Sequence, residues 1–98
     1  MFIILILKMF NSLYFIKIYI SLNRLNLLSD KKDFEKEILV KVRSTGKLLK
    51  AKINFKNNNE AFVKLEIPED GISPGQACVF YSKDSLGFKV LGGGWISN

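Results

Sequence analysis

The sequence has 98 residues, of which 48% are hydrophobic, and its net charge is +6 from 15 lysines and arginines against 9 acids. It contains no histidine and one cysteine, which excludes histidine-based catalytic triads, histidine metal ligands and an internal disulfide. The length suffices for one small domain and excludes a multidomain enzyme acting alone. The basic charge indicates a polyanionic partner, either nucleic acid or an anionic membrane surface.

The first 22 residues are mostly apolar and carry two charges, Lys8 and Lys17. A membrane anchor is one interpretation, since a spanning helix needs about 20 apolar residues, but charges near mid-span are costly. A signal peptide is disfavoured, because no charge precedes the apolar block and no small-residue cleavage site follows it. Two alternatives remain. The segment is either the product of a mis-started or truncated reading frame, or a partly buried strand region. Residues 1–23 are therefore predicted as a hydrophobic leader outside the folded barrel.

From residue 31 onward the pattern is typical of β-strands. Residues 31–37 (KKDFEKE) are predicted to form a charged, solvated connector. Five segments follow that alternate or run apolar between turn residues, and this spacing is typical of a small antiparallel barrel. The predicted strands are residues 37–43, 47–56, 61–67, 76–81 and 88–91. The fold class is therefore predicted as all-β, a small antiparallel β-barrel over residues 38–98, with a non-barrel hydrophobic N-terminal extension and residues 24–37 as a linker.

The alternation also predicts which side chains face the core. The predicted inward residues are Ile38, Val40, Val42, Leu49, Ala51, Ile53, Phe55, Ala61, Val63, Leu65 and Ile67. Residues 76–81 form a nearly continuous apolar run, which is typical of a strand buried on both sides. Turns are predicted at residues 44–46, 57–59 and 73–76, the last of type II with Gly75 at positive φ.

Residues 38–56 hold six cationic side chains and no acid. Outward positions on two adjacent strands would bring most of them to one face, and such a face attracts phosphate without reading bases. The alternative is a solvated strand face on which lysines protect the sheet edges. The residues alone leave these two interpretations open.

Three other features have plain structural explanations. Residues 92–94 (GGG) resemble a phosphate cradle, but no helix follows them, so a tight bend or a close strand approach at barrel closure is favoured. Cys78 lies in an apolar strand and is predicted to be a small buried residue rather than a reactive thiol. Core packing is the default prediction for the strand aromatics, and Phe62 is the exception because the alternation places it on the outer face. The aromatics assigned to the core are Phe55, Phe80, Tyr81, Phe88 and Trp95.

The C-terminal half resembles the C-terminal domain of the tRNA-specific 2-thiouridylases, which are tRNA-uridine 2-sulfurtransferases. Two motifs carry the resemblance, residues 73–81 (SPGQACVFY) and residues 90–96 (VLGGGWI). Residues 40–44 (VKVRS) are similar to the strand that opens the same domain. Residues 25–30 (LNLLSD) are similar to a family segment, I-N-W-L-x-D, that leads into the domain, although the tryptophan is missing.

This resemblance spans about residues 24–98, with a start at residues 17–19 (KIY) as the alternative. It implies a cytoplasmic enzyme that adenylates the wobble uridine of tRNA, using ATP and magnesium, and then thiolates it. In that family the chemistry belongs to an N-terminal ATP-pyrophosphatase domain with an SGGxDS loop and two catalytic cysteines. This sequence contains no SGG, GxGxxG, GKS or GKT motif, and its single cysteine lies in the barrel motif. No catalytic, cofactor-binding or metal-binding residue is therefore predicted, and the chain is expected to be inactive alone.

The barrel of that family helps to hold tRNA, so the resemblance favours phosphate contact for the basic segment. The predicted tRNA contacts are Lys41, Arg43, Lys50 and Lys52. The favoured hypothesis is the non-catalytic, tRNA-contacting barrel of a 2-thiouridylase, expected to be a fragment that lacks the ATP-pyrophosphatase domain. Its candidate partners are tRNA and a separately encoded N-terminal catalytic part. A stand-alone RNA-binding module and, less favoured, a membrane-anchored barrel are the alternatives.

Overall fold

Six antiparallel strands close into a barrel in the computed structural model, which describes residues 16–42 and 46–97. The strands are β1 (Ile16–Leu27), β2 (Ile38–Val42), β3 (Leu48–Phe55), β4 (Ala61–Asp70), β5 (Ala77–Asp84) and β6 (Gly87–Ile96). A 3-10 turn, Lys31–Phe34, lies between β1 and β2. The order around the barrel is β1-β4-β3-β2-β5-β6, so every strand is hydrogen-bonded on both sides. The predicted all-β barrel is confirmed.

The barrel begins earlier than the sequence predicted. Strand β1 falls in the segments assigned to the leader and the linker, and it pairs with both β4 and β6. Its side chains Ile20 and Leu22 are 0% and 1% exposed. The apolar–polar alternation around them is masked in the sequence by the longer apolar run that precedes it. The earlier part of the predicted leader, residues 1–15, lies outside the described residues.

The inward side chains form one hydrophobic core, and the 3-10 turn contributes to it. Phe34 is buried, and its ring meets the rings of Phe55 and Phe80 edge-on at centroid distances of 5.3 and 5.8 Å. The segment predicted as a solvated connector therefore supplies a core side chain. Strand β5 has one core face and one half-covered face, so burial on both sides is not observed.

The predicted inward side chains are confirmed except for Ile67, which is 71% exposed. A β-bulge interrupts the β1–β4 ladder between the pairs Lys17–Glu69 and Tyr19–Lys64. The inward–outward alternation of β4 stops at this irregularity, and Ile67 is left exposed. Pro68, which lies in the bulge, has no N–H to offer a regular ladder. The core is filled at this end by Ile72, which is 1% exposed.

The predicted turns agree with the structure where it describes them. Gly75 has φ +90°, and the Gln76 N–H donates to the Ser73 carbonyl at 3.4 Å, as in a type II turn. In the turn at residues 57–59, the side-chain oxygen of Asn57 accepts two backbone N–H groups, both at 2.8 Å. Gly46 has φ +69°.

Backbone contact closes the barrel at residues 92–94. A Cβ added to Gly92 would overlap the carbonyl oxygen of Asn26 in β1, and one added to Gly93 would lie 2.8 Å from the carbonyl oxygen of Cys78 in β5. Strand β6 therefore fits between β1 and β5 only because these side chains are absent. The predicted close strand approach is confirmed.

We expect Gly92→Ala to destabilise the barrel by more than Gly87→Ala does. Both glycines have positive φ, +141° and +126°, which costs another residue about 1–3 kcal/mol. Nothing lies within 4 Å of a Cβ on Gly87, whereas a Cβ on Gly92 must also displace β1. Urea unfolding followed by circular dichroism measures both losses. Equal losses would show that the closure tolerates a side chain.

Candidate nucleic-acid interface

The outer faces of β2 and β3 carry three of the four predicted contact residues. In the β2–β3 ladder Lys41 pairs with Leu48, two residues from Lys50, so Lys41 and Lys50 are diagonal neighbours on one face. Lys52 lies two residues further along β3 and therefore faces the same way. Lys50 and Lys52 are exposed, and Lys41 is half-buried. Arg43, the fourth predicted contact, lies outside the described residues.

A further lysine on β4, Lys64, extends this surface. It pairs directly with Lys52 in the β3–β4 ladder, and both side chains are exposed. Within the described part of the chain, the only ion pair joins Lys47 to Glu69 at 3.9 Å, so neither Lys52 nor Lys64 has a carboxylate partner there. We call the surface formed by Lys41, Lys50, Lys52 and Lys64 the lysine face.

Edge protection does not explain the lysine face. In the closed barrel β2, β3 and β4 are each hydrogen-bonded on both sides, so none of them has a free edge for a lysine to guard. Like charges placed directly opposite each other, as at Lys52 and Lys64, destabilise a sheet. The closed barrel therefore removes edge protection as an explanation, and an ordinary solvated strand face and a surface for phosphate are the two interpretations that are left.

Carboxylates border the lysine face. A shallow groove of about 350 Å³ is lined by Lys52 and Lys64 together with Glu37 and Glu66. A second groove runs past Lys50, again with Glu66 among its lining residues. Glu66 lies two residues from Lys64 along β4 and shares its outer face, so this carboxylate offsets part of the positive charge there.

Two aromatic side chains are more exposed than the sequence predicted. Phe62 is 43% exposed, as the alternation predicts, but Phe88 and Trp95 are also 55% and 42% exposed. Trp95 lies between the buried residues Gly94 and Ile96, so the alternation of β6 turns it outward. Phe88 lies near the tip of the β5–β6 hairpin, beyond the residues of β6 that pair with β1. The core prediction is wrong for these two residues.

Cys78 is fully buried, as predicted. Burial raises the pKa of its thiol from 9.0 to about 12, because the apolar surroundings disfavour the thiolate. The thiol is therefore protonated at neutral pH, and it is a poor nucleophile there.

We expect Cys78 to resist iodoacetamide at about pH 8 in the folded chain and to react readily in urea. In the unfolded chain the thiol ionises at a lower pH than in the barrel. The thiol therefore leaves the free energy of unfolding unchanged below about pH 9. Between about pH 9 and 12 it lowers that free energy, because the thiol ionises in the unfolded chain but not in the barrel. Mass spectrometry of the alkylated chain measures the protection, and rapid modification of the folded chain would contradict it.

Two absences characterise residues 16–42 and 46–97. No group of three or more acidic or cysteine side chains there is placed to hold a metal ion. No helix in the same ranges has the length and apolarity needed to cross a bilayer.

The barrel matches a known protein family over most of its length. A family model described as the aminomethyltransferase beta-barrel domain matches residues 18–96. The chain belongs to this family. The match begins within β1 and ends with β6, so the family domain includes the strand that the sequence analysis had left outside the barrel.

The relatives with this barrel are named tRNA-specific 2-thiouridylase MnmA. The protein of Cereibacter sphaeroides is 50% identical over 62 residues, which is 63% of this chain and 16% of that protein. The protein of Dinoroseobacter shibae is 44% identical over 81 residues, 80% of this chain and 21% of that protein. The chain thus spans about a fifth or less of these relatives, and it matches their C-terminal domain. The resemblance drawn from the sequence motifs is confirmed.

Proposed function

We propose that this barrel contacts tRNA through the lysine face, in support of a 2-thiolation reaction whose catalytic groups lie outside the barrel. The observation that carries the proposal is the direct opposition of Lys52 and Lys64 on a closed sheet, with no carboxylate partner among the described residues. Bound phosphates would relieve this repulsion. The relatives' name supplies the identity of the nucleic acid, since they are described as tRNA-specific.

The lysines would act by charge and position rather than by reading bases. Lysine ammonium groups neutralise phosphates and release the counterions that surround them, which makes binding strong at low salt and weak at high salt. Structured RNA is largely recognised by shape and by contacts to its backbone. The barrel's role in this proposal is therefore to hold and orient tRNA while another part of the enzyme acts on the uridine.

We propose that the ATP and magnesium used in such a reaction bind outside this barrel. At Gly92 and Gly93 the backbone of β6 lies against the backbone of β1 and β5, which leaves no space there even for a Cβ atom. The described residues also offer no cluster of carboxylates for the metal. We therefore propose that both bind to a catalytic part, which belongs either to a longer chain or to a separately encoded partner. A cytoplasmic location goes with this proposal.

Binding of the full chain to an unmodified tRNA transcript, followed by fluorescence anisotropy, tests the proposal. If the four lysines each neutralise one phosphate, a plot of log affinity against log salt has a slope of about −3. A double-stranded DNA of similar length is the comparison, and it should bind more weakly. Absence of binding at low salt would contradict tRNA contact, and equal affinity for the DNA would contradict a preference for tRNA.

A further inference from the structure

Two exposed aromatic rings adjoin the lysine face. Tyr19 pairs with Lys64 in the β1–β4 ladder, and Phe62 lies two residues along β4 from Lys64. Tyr19 and Phe62 are 40% and 43% exposed. Residues that pair across strands, and residues two apart along one strand, share a face of the sheet. Both rings therefore lie on the same outer surface as Lys52 and Lys64.

Lys64 links the charged and aromatic parts of this surface. Its Nζ lies 5.8 Å from the centroid of the Tyr19 ring, within the range of a cation–π contact. On its other side Lys64 pairs with Lys52. Two cations and two rings thus occupy neighbouring positions on three adjacent strands.

The Phe62 ring is not part of the hydrophobic core. Its cross-strand partners are Asn54 in β3 and Ser21 in β1, which are too small to cover a phenyl ring. The aromatic ring lies on the outside of the barrel, and the core beneath β4 is supplied by the buried neighbours Ala61 and Val63. A partly exposed ring beside cations that have no carboxylate partner among the described residues is a combination with which proteins bind single-stranded nucleic acids, because the base stacks on the ring and the phosphate meets the charge.

We propose that Tyr19, Phe62, Lys52 and Lys64 form a site for one unpaired nucleotide of RNA. The base stacks on the rings of Tyr19 and Phe62, and the adjoining phosphate lies between the two ammonium groups. The nucleotide site rests on the proposed function, because its ligand is RNA. It adds to that function a preference for single-stranded over duplex RNA. Any base has a face to stack, so the site selects unpaired loops of a folded RNA rather than a sequence.

The test uses the full chain with Tyr19→Leu and Phe62→Leu, each measured against an unmodified tRNA transcript, oligouridine and a blunt RNA duplex. Leucine keeps the position apolar but has no ring face. Each variant should lose between about fivefold and a hundredfold in affinity for tRNA and oligouridine, and keep its affinity for the duplex. The salt slope should not change, because no charge is removed.

Two further variants make the result specific. Phe62→Tyr keeps a ring and should retain wild-type affinity for every probe. Phe88→Leu is the matched control, since Phe88 is another exposed ring with a lysine, Lys83, at 5.8 Å from its centroid, but on the β5–β6 hairpin. It should change no affinity. Circular dichroism of each variant confirms that the barrel is folded.

The outcomes separate this site from the function on which it rests. If tRNA binds but both leucine variants keep wild-type affinity for oligouridine, the nucleotide site is wrong and the lysine face stands. A loss that is equally large for the duplex, or for Phe88→Leu, would likewise overturn the site. If the wild-type chain binds none of the three probes, both proposals fail.

Discussion

Replacing Leu22 by alanine should lower the free energy of unfolding by about 2–5 kcal/mol. The side chain is 1% exposed, and it lies where β1 closes the barrel, paired with Ala61 of β4 on one side and Ile96 of β6 on the other. The cavity left by the substitution cannot collapse without moving one of these strands. A barrel of this size has a stability of only about 4–12 kcal/mol, so the loss is a large part of the total.

Leu28→Ala is the matched control for this substitution. Leu28 follows β1 directly but is 65% exposed, and its loss should change the free energy of unfolding by less than about 0.5 kcal/mol. Urea unfolding followed by circular dichroism compares the two variants. If Leu22→Ala were as mild as Leu28→Ala, β1 would not belong to the core, and residues 16–23 would be the leader that their composition suggests.

Reversing two charges on the lysine face, with Lys50→Glu and Lys52→Glu together, should weaken tRNA binding by about tenfold to a hundredfold at low salt. Both side chains are exposed, so the barrel itself should remain folded. The slope of log affinity against log salt should become shallower by about 1.5, since each lost phosphate contact contributes about 0.7–0.9. Fluorescence anisotropy over a range of salt concentrations measures both quantities.

The double variant Lys83→Glu and Lys89→Glu controls for net charge. Each lysine-to-glutamate change lowers the net charge by two, so both double variants go from +6 to +2. Lys83 and Lys89 are exposed but lie on the β5–β6 hairpin. Their reversal should weaken tRNA binding much less. Equal weakening in the two double variants would mean that RNA responds to the overall charge and not to the lysine face.

Much of the barrel is predictable because some of its strands pair with the strand that follows them in the sequence. Strands β3 and β4 are joined by a short asparagine turn, and the alternation of each strand is clear, so core residues such as Ile53 and Val63 follow directly from the sequence. Strand β1 is different, since its partners lie far along the chain and its alternation merges with a longer apolar run. The bulge that exposes Ile67 depends on the fit between β1 and β4, and no local pattern marks it.

The candidate site was only partly predictable, because its residues come together through strand pairing that no local sequence pattern marks. Lys41, Lys50 and Lys52 stand out because they fall in a segment without acids. Lys64 lies outside that segment, and it joins the lysine face only through the β3–β4 register, although counting across the asparagine turn would have placed it opposite Lys52. The contribution of Tyr19 required the knowledge that β1 is a strand of the barrel.

Acetylation of lysines in the full chain, with and without bound tRNA and read by mass spectrometry, tests the lysine face most directly. Bound tRNA should protect Lys50, Lys52 and Lys64 from modification, while Lys83 and Lys89 react at the same rate in both samples. Protection of Lys83 and Lys89 with no change at Lys50 and Lys52 would contradict the account, because it would place the RNA on the β5–β6 hairpin.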